Sequence, residues 1–278
     1  MVILITGGMG MLGRALTRRL ANVIAFSSRD LDVCDVNKCN SVIGLYRPHI
    51  VIHCAAMTAV DRCEHDSEAA FRTNAIGSSN VAGACYQYGA RLIFISTDYV
   101  FSGDLNRPYN EWDKTGARTI YGMSKCAGEN AIRVHCPNHL IVRTAWLYGQ
   151  GGSGFVQYIM KMGSQNGEPL KVVDDQIGNP TSTDAFIDAL MPLLNLHVGT
   201  VHLTCEGMSS RYDLACAIFN MRGYTRGITR ITTAESGQLA PRPLNSCLDK
   251  MVLRLYGLPP MQGWKESLQH FITNCEEL

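Results

Sequence analysis

Apolar residues in the first half of the chain gather into short runs of strand length, at residues 2–6, 23–27, 50–55, 91–96 and 140–146. Between these runs apolar positions recur every three to four residues, over 11–20, 37–46, 68–88 and 121–135, which predicts amphipathic helices. Continuous apolar strands alternating with helices imply strands buried on both faces, and so a doubly wound α/β fold with a parallel sheet. After about residue 147 the texture changes. A glycine-rich loop at 149–154 leads to an apolar helix near 155–163 and a loop at 174–180, followed by helical patterns over 183–194, 211–221 and 264–275. In open α/β sheets ligands bind beyond the carboxyl ends of the strands. The pattern therefore predicts a sheet-forming unit over 1–148 and a smaller unit over 149–278 that closes over that edge, some of its elements returning to the sheet.

Composition narrows the class of partner. Hydrophobic residues make up 46% of the 278 positions and charged residues 18%, with a formal net charge of +1, which describes an ordinary globular protein. Scattered lysines and arginines leave no electrostatic footprint for nucleic acid or an anionic membrane, and small-molecule work is expected. No apolar run approaches the roughly eighteen residues needed to span a bilayer. Met1 leads directly into an apolar strand, which reads as folded structure rather than a signal peptide. Eleven cysteines without a repeated Cys-x-x-Cys spacing read as buried thiols in a reducing cytoplasm. The cluster His135-Cys136-Pro137-Asn138-His139 has no second cluster to complete a metal site and reads as a helix end and turn.

The first chemical signal is Thr6-Gly7-Gly8-Met9-Gly10-Met11-Leu12-Gly13, between a predicted strand and a predicted helix. Glycines there allow a tight turn and close backbone approach to a pyrophosphate, which rests on the unpaired N–H groups of the helix N-terminus. The strand-then-helix context separates this motif from a structural glycine turn. The next strand ends in Ser27-Ser28-Arg29 rather than an acidic residue. Hydroxyls and a guanidinium suit a 2′-phosphate, so NADP(H) is favoured, with Asp30 keeping NAD(H) as the alternative.

The second signal is Tyr121-Gly122-Met123-Ser124-Lys125, which places a phenol and an ammonium one helical turn apart. Reducing a ketone requires a proton at the oxygen as hydride reaches the carbon, and a nearby ammonium would lower the pKa of an otherwise sluggish phenol. Ser96-Thr97-Asp98-Tyr99 emerges at the carboxyl end of the predicted strand 91–96, at the expected catalytic edge. His53, inside the third strand, reads as a buried core histidine rather than an acid or base.

Glycine turn, strand-end Ser-Thr and Tyr-x-x-x-Lys in this order resemble the extended short-chain dehydrogenase/reductase superfamily with its Rossmann-type sheet. Nearly the whole chain is similar to the dTDP-4-dehydrorhamnose reductase family, through blocks at residues 47–56, 58–61, 74–77, 96–101, 121–125, 143–149, 175–181 and 242–246. The resemblance implies NADPH-dependent reduction of the C4 ketone of a dTDP-4-keto-6-deoxy-L-hexose, with Thr97, Tyr121 and Lys125 catalytic. It implies a cofactor held by Gly7, Gly10, Met11, Leu12 and Gly13, with Ser28 and Arg29 at the phosphate and Asp32 and Val33 at adenine. Ala55, Ala56 and Met57 would lie along the dinucleotide, and Tyr121 and Lys125 at its nicotinamide end. Thr97, Asp98, Val100, Tyr121 and Trp146 would meet the sugar nucleotide, and Gln176 and Arg242 its diphosphate. The implied partner is a nucleotide sugar, with a homodimer admissible and no nucleic acid or membrane.

Departures also carry information. Met57 stands where the family often has Tyr or His, which removes a polar contact. Arg14-Ala15 offer no carboxylate after Gly13, so no divalent metal is assigned. Sugar-nucleotide 4,6-dehydratases share the glycine turn and the Tyr/Lys pair but need an acidic pair after the strand-end Thr, where this chain has Asp98-Tyr99. The regulatory β subunit of methionine adenosyltransferase also resembles the family, but it lacks the blocks seen here at Thr58 to Asp61 and Arg143 to Trp146.

Overall fold

The computed structural model describes residues 1–275. Its first half runs β1 (Ile3–Thr6), α1 (Met11–Arg19), β2 (Val23–Phe26), α2 (Val36–Tyr46), β3 (Ile50–His53), α3 (Val60–His65), α4 (Ser67–Phe71), a π-helical turn (Arg72–Ile76), α5 (Gly77–Tyr88), β4 (Arg91–Thr97), α6 (Ile120–His135) and β5 (His139–Thr144). The second half continues with β6 (Leu147–Tyr148), α7 (Phe155–Gly163), β7 (Leu170–Val173), β8 (Ile177–Gly178), β9 (Thr181–Ser182), α8 (Thr183–Leu190) and β10 (Gly199–His202). It closes with β11 (Ser209–Ser210), α9 (Arg211–Arg222), β12 (Ile228–Ile231), α10 (Met251–Leu255) and α11 (Trp264–Asn274).

Six strands form one parallel sheet in the order β10-β5-β4-β3-β1-β2. Alternate residues of each strand enter two different cores. Ile3, Ile5, Ile50, Ile52, Ile93, Leu140 and Val142 pack with α1, α7, α8, α9 and α11. Leu4, Val51, Leu92, Phe94 and Ile141 pack on the other face with α2, α5 and α6. Burial on both faces is why these strands read as unbroken apolar runs.

Three of the departures from the sequence pattern bear on the sheet and its edge. The helix expected over 68–88 is divided by the π-helical turn at Arg72–Ile76, where Asn74 is fully buried and bonds inward instead of following an amphipathic face. The fifth strand ends at Thr144, and Trp146 takes a left-handed backbone with φ 47° that the run 140–146 did not announce. Finally, β10 is four residues long and half polar, Gly-Thr-Val-His, and pairs with β5 at the sheet edge.

Candidate active site

Parallel pairing in register sets the strand ends side by side: Thr6 lies opposite Phe26 and His53, His53 opposite Phe94, and Thr97 opposite Thr144. The loops leaving those ends therefore collect on one edge. His53 itself stays within the sheet, bonded to Thr6 Oγ1 at 2.6 Å and Ser78 Oγ at 3.1 Å, and burial pushes it down to about 3, so it is neutral.

The glycine turn has the form a dinucleotide needs. Gly7 has φ 68°, and a Cβ there would stand 2.7 Å from the Ala55 nitrogen. A Cβ on Gly13 would meet the Gly7 carbonyl oxygen at 2.4 Å, so helix, turn and the β3 loop pack backbone to backbone. The N-terminus of α1 begins at Gly10 with no side-chain cap and no acidic residue in its first turn. By contrast, α2, α6, α8 and α9 are capped by Asp35, Thr119, Ser182 and Ser210. The N–H groups of Met11, Leu12 and Gly13 are thus left for an anion. Beside them Ser28 and Arg29 are exposed after β2, while Asp30 accepts a 2.5 Å bond from Ser27 Oγ and so is tied into its own turn. Asp32 is exposed and Val33 buried, its carbonyl accepting from Asn80. These residues fit a phosphorylated dinucleotide: open donors for the pyrophosphate and, in Arg29, a guanidinium without a partner among the described residues for the 2′-phosphate.

Ala55, Ala56 and Met57 form the loop after β3. Asn74 fixes that loop, accepting from the Met57 N–H at 2.8 Å while its amide donates to the Met57 carbonyl at 3.1 Å and to Ser124 Oγ of α6 at 2.9 Å. Sequence reasoning gave Asn74 no role; a buried Asn inside a helical pattern was the available signal.

Helix α6 carries the phenol and the ammonium to the end of β4. Thr119 caps its N-terminus, and Glu64 of α3 accepts from the Ile120 N–H at 2.8 Å. Burial pushes the Tyr121 phenol up, opposed by the nearby Thr97 hydroxyl and reinforced by the Asp98 carboxylate. Tyr99 packs edge-on against Tyr121 at 5.6 Å. The expected lowering by Lys125 is not what dominates. Lys125 Nζ donates to the Ile95 carbonyl at 2.7 Å over the Phe94 ring, and burial, opposed by Glu129 and Cys54, brings it down to about 7.

Thr97 Oγ1 donates to Asp98 Oδ1 at 2.9 Å. Asp98 is 3% exposed and its Oδ2 has no hydrogen-bond partner among the described residues; burial lifts the carboxyl to about 6, opposed by the nearby Ser246 and Thr97 hydroxyls and the Arg211 charge. The Trp146 indole lies against Gly178, where a Cβ would come within 2.4 Å of it, and Arg211 Cζ sits 3.5 Å from the ring centroid. Arg211 was missed in the sequence; its guanidinium makes no hydrogen bond or ion pair among the described residues, and burial pushes it down to about 10. Arg242 pairs with Asp61 at 2.7 Å and reaches the Tyr99 hydroxyl at 3.4 Å. Gln176 is buried, its amide donating to Thr233 Oγ1 and Gln238 Oε1. Val100 is fully buried, packed among Phe101, Tyr109, Ala145 and Leu248. Among the described residues, no group of three or more His, Cys, Asp or Glu side chains is placed to hold a metal ion.

Known proteins resemble this chain along nearly its whole length. A family model described as the RmlD substrate binding domain matches residues 1–277. The dTDP-4-dehydrorhamnose reductase of Streptomyces griseus is 40% identical over 277 residues, covering 95% of this chain and 91% of that protein. This chain belongs to the dTDP-4-dehydrorhamnose reductase family. The spore coat polysaccharide biosynthesis protein SpsK of Bacillus subtilis is 38% identical over 97% of this chain and 96% of its own length. A crystal structure of dTDP-4-dehydrorhamnose reductase from Bacillus anthracis in complex with NADP superposes with a TM-score of 0.96 at 37% identity, covering 98% of this chain and 99% of that one.

Proposed function

We propose that this chain is an NADPH-dependent oxidoreductase that reduces the C4 ketone of dTDP-4-dehydro-L-rhamnose to dTDP-L-rhamnose. The observation that carries the reading is the convergence of Thr97 at the end of β4 with Tyr121 and Lys125, one helical turn apart on α6, on the sheet edge that also holds the uncapped, glycine-lined N-terminus of α1.

When bound, NADPH supplies hydride to the carbonyl carbon. Met11, Leu12 and Gly13 N–H groups receive the pyrophosphate, Arg29 and Ser28 the 2′-phosphate, and the loop at Ala55 to Met57 lies along the dinucleotide. Thr97 orients the ketone oxygen by turning the hydroxyl proton it gives to Asp98 Oδ1 in the free protein toward that oxygen. Tyr121, kept protonated by its burial, delivers the phenolic proton to that oxygen as negative charge develops there. The Lys125 ammonium then stabilises the phenolate and offers its remaining donors to the nicotinamide ribose. Asp98 Oδ2 is an open acceptor for a sugar hydroxyl, and Trp146 presents an apolar wall. Arg242 and Gln176 lie toward the diphosphate. No acidic residue follows Asp98, so the site has the groups for a reduction and not for expelling water. Eleven free thiols support a reducing cytoplasmic setting, and no described helix is long and apolar enough to cross a membrane. A homodimer remains an expectation, which light scattering on the eluting protein tests.

The reading is tested by following NADPH oxidation with the 4-keto sugar made in situ from dTDP-glucose by a dehydratase and an epimerase. Stoichiometric oxidation that requires both supports it; NADPH left unconsumed overturns it.

A further inference from the structure

Tyr121, Lys125, Glu129 and Arg133 follow one another at four-residue spacing along α6, forming one stripe of the helix. Three consecutive residues at the end of β4 take up its first three members. The Ile95 carbonyl accepts from Lys125 Nζ at 2.7 Å, Ser96 Oγ donates to Glu129 Oε1 at 2.6 Å, and the Thr97 hydroxyl is close enough to the Tyr121 phenol to favour its ionised form. Glu129 is 1% exposed and clamped from its far side by Arg143 of β5, whose Nε and Nη2 reach its two oxygens at 2.9 and 2.8 Å. Arg133 adds a bond of 3.0 Å, and Arg143 is itself held against the Phe101 ring and His202 of β10.

Lys125 is 2% exposed, and a buried ammonium without an opposing charge gives up its proton. The groups around it are few. From β3 and the loop beyond come His53, held neutral by burial, and Cys54, a thiol that burial pushes up to about 12. From β4 come the Phe94 ring and the Ile95 carbonyl, and from α6 Tyr121 and Glu129. Of these, only Glu129 is ionised at neutral pH. Burial raises its carboxyl, but Arg143, Ser96 and Arg133 together bring it below the ordinary value.

We propose that Glu129 is a positioning residue for the reduction, supplying the buried counter-charge for Lys125 and, through Ser96, fixing the register in which Lys125 and Thr97 meet Tyr121. This rests on the function proposed above. A staple that merely joined α6 to β4 and β5 would affect stability alike at every pH. A counter-charge acts only where Lys125 titrates.

The test is the pH profile of kcat/KM for NADPH-dependent reduction in the full chain and in Glu129→Gln, which keeps the shape and the bond to Ser96 but drops the charge. The alkaline limb should move to lower pH by about one unit, so that the variant loses about tenfold at pH 8 and little at pH 6. Ser96→Ala, which cuts the grip and keeps the charge, should lower kcat at all pH values and leave the limb in place. Glu129→Gln leaves Arg143 buried without a partner charge, so Glu129→Gln/Arg143→Gln is measured beside it. A limb that stays put in either folded variant overturns the proposal. If the wild-type chain shows no reduction, the function reading has failed instead. The proposal is then read from the Lys125 Nζ titration by NMR, where a downward displacement in Glu129→Gln supports it and an unmoved titration overturns it.

Discussion

Two sides of the site are built by different means. On the frame side, Thr97, Tyr121 and Lys125 sit on β4 and α6, and their positions follow from strand register, helical spacing and a capped helix start. On the loop side, Trp146, Gln176 and Arg242 come from three loops, joined by Arg211 from the first turn of α9, and side chains hold these segments in place. Arg242 pairs with Asp61 across 181 residues of sequence, and Gln176 with Gln238 across 62. Trp146 is wedged between Gly178 and Arg211 with a left-handed backbone. Regular structure fixes a group within tenths of an ångström, as proton transfer requires, whereas loops can re-form around a different sugar without disturbing the sheet. Frame substitutions should therefore act on kcat and loop substitutions on KM.

The sharpest way to break that division is Tyr121→Phe. Removing the positioned acid should cut kcat by about 10²- to 10⁴-fold while the NADPH dissociation constant barely moves; turnover near wild type would show that the phenol is not the proton donor. On the cofactor edge, Arg29→Ala removes a charge-assisted contact worth about 1.5–3 kcal/mol, so KM for NADPH should rise roughly tenfold or more while KM for NADH stays put. Equal changes would mean that Arg29 does not read the 2′-phosphate. On the loop side, Trp146→Ala should raise KM for the nucleotide sugar several-fold, about 0.5–1.5 kcal/mol for a lost aromatic contact, with kcat little altered. A collapse of kcat at constant KM would move Trp146 to the frame side.

The mildest effect concerns pH. Asp98 is a carboxylate above about 6 and Lys125 an ammonium below about 7. The value of kcat/KM should accordingly rise with pH through the first and fall through the second, and Asp98→Asn should remove the acid limb alone. An acid limb that survives in that variant would assign it to another group.

How legible each side was in the sequence follows from the same division. The strands and α6 were readable because burial on both faces leaves unbroken apolar runs, and because Tyr121 and Lys125 share a helical face whatever the rest of the chain does. What escaped depended on distant partners. Asn74 turns inward because Met57 and Ser124 offer it bonds, and the π-helical turn follows from that. Arg211 matters only because Trp146 lies beneath it, and Glu129 because Arg143 and Ser96 converge on it from β5 and β4. Val100, which the resemblance placed near the sugar, lies in the 3-10 turn at Asp98–Val100 with its side chain in the core, a placement that depends on Phe101, Tyr109, Ala145 and Leu248 and so was not legible locally.

The measurement closest to the central claim is to run the reaction with NADPH deuterated at its transferable position and to follow the sugar by NMR. Hydride delivery to a C4 ketone with proton delivery from Tyr121 predicts dTDP-L-rhamnose carrying one deuterium, at C4, for each NADPH consumed. A sugar changed without label would contradict it and place the chain among redox-neutral enzymes of the same fold, and label at another carbon would contradict C4 as the position reduced.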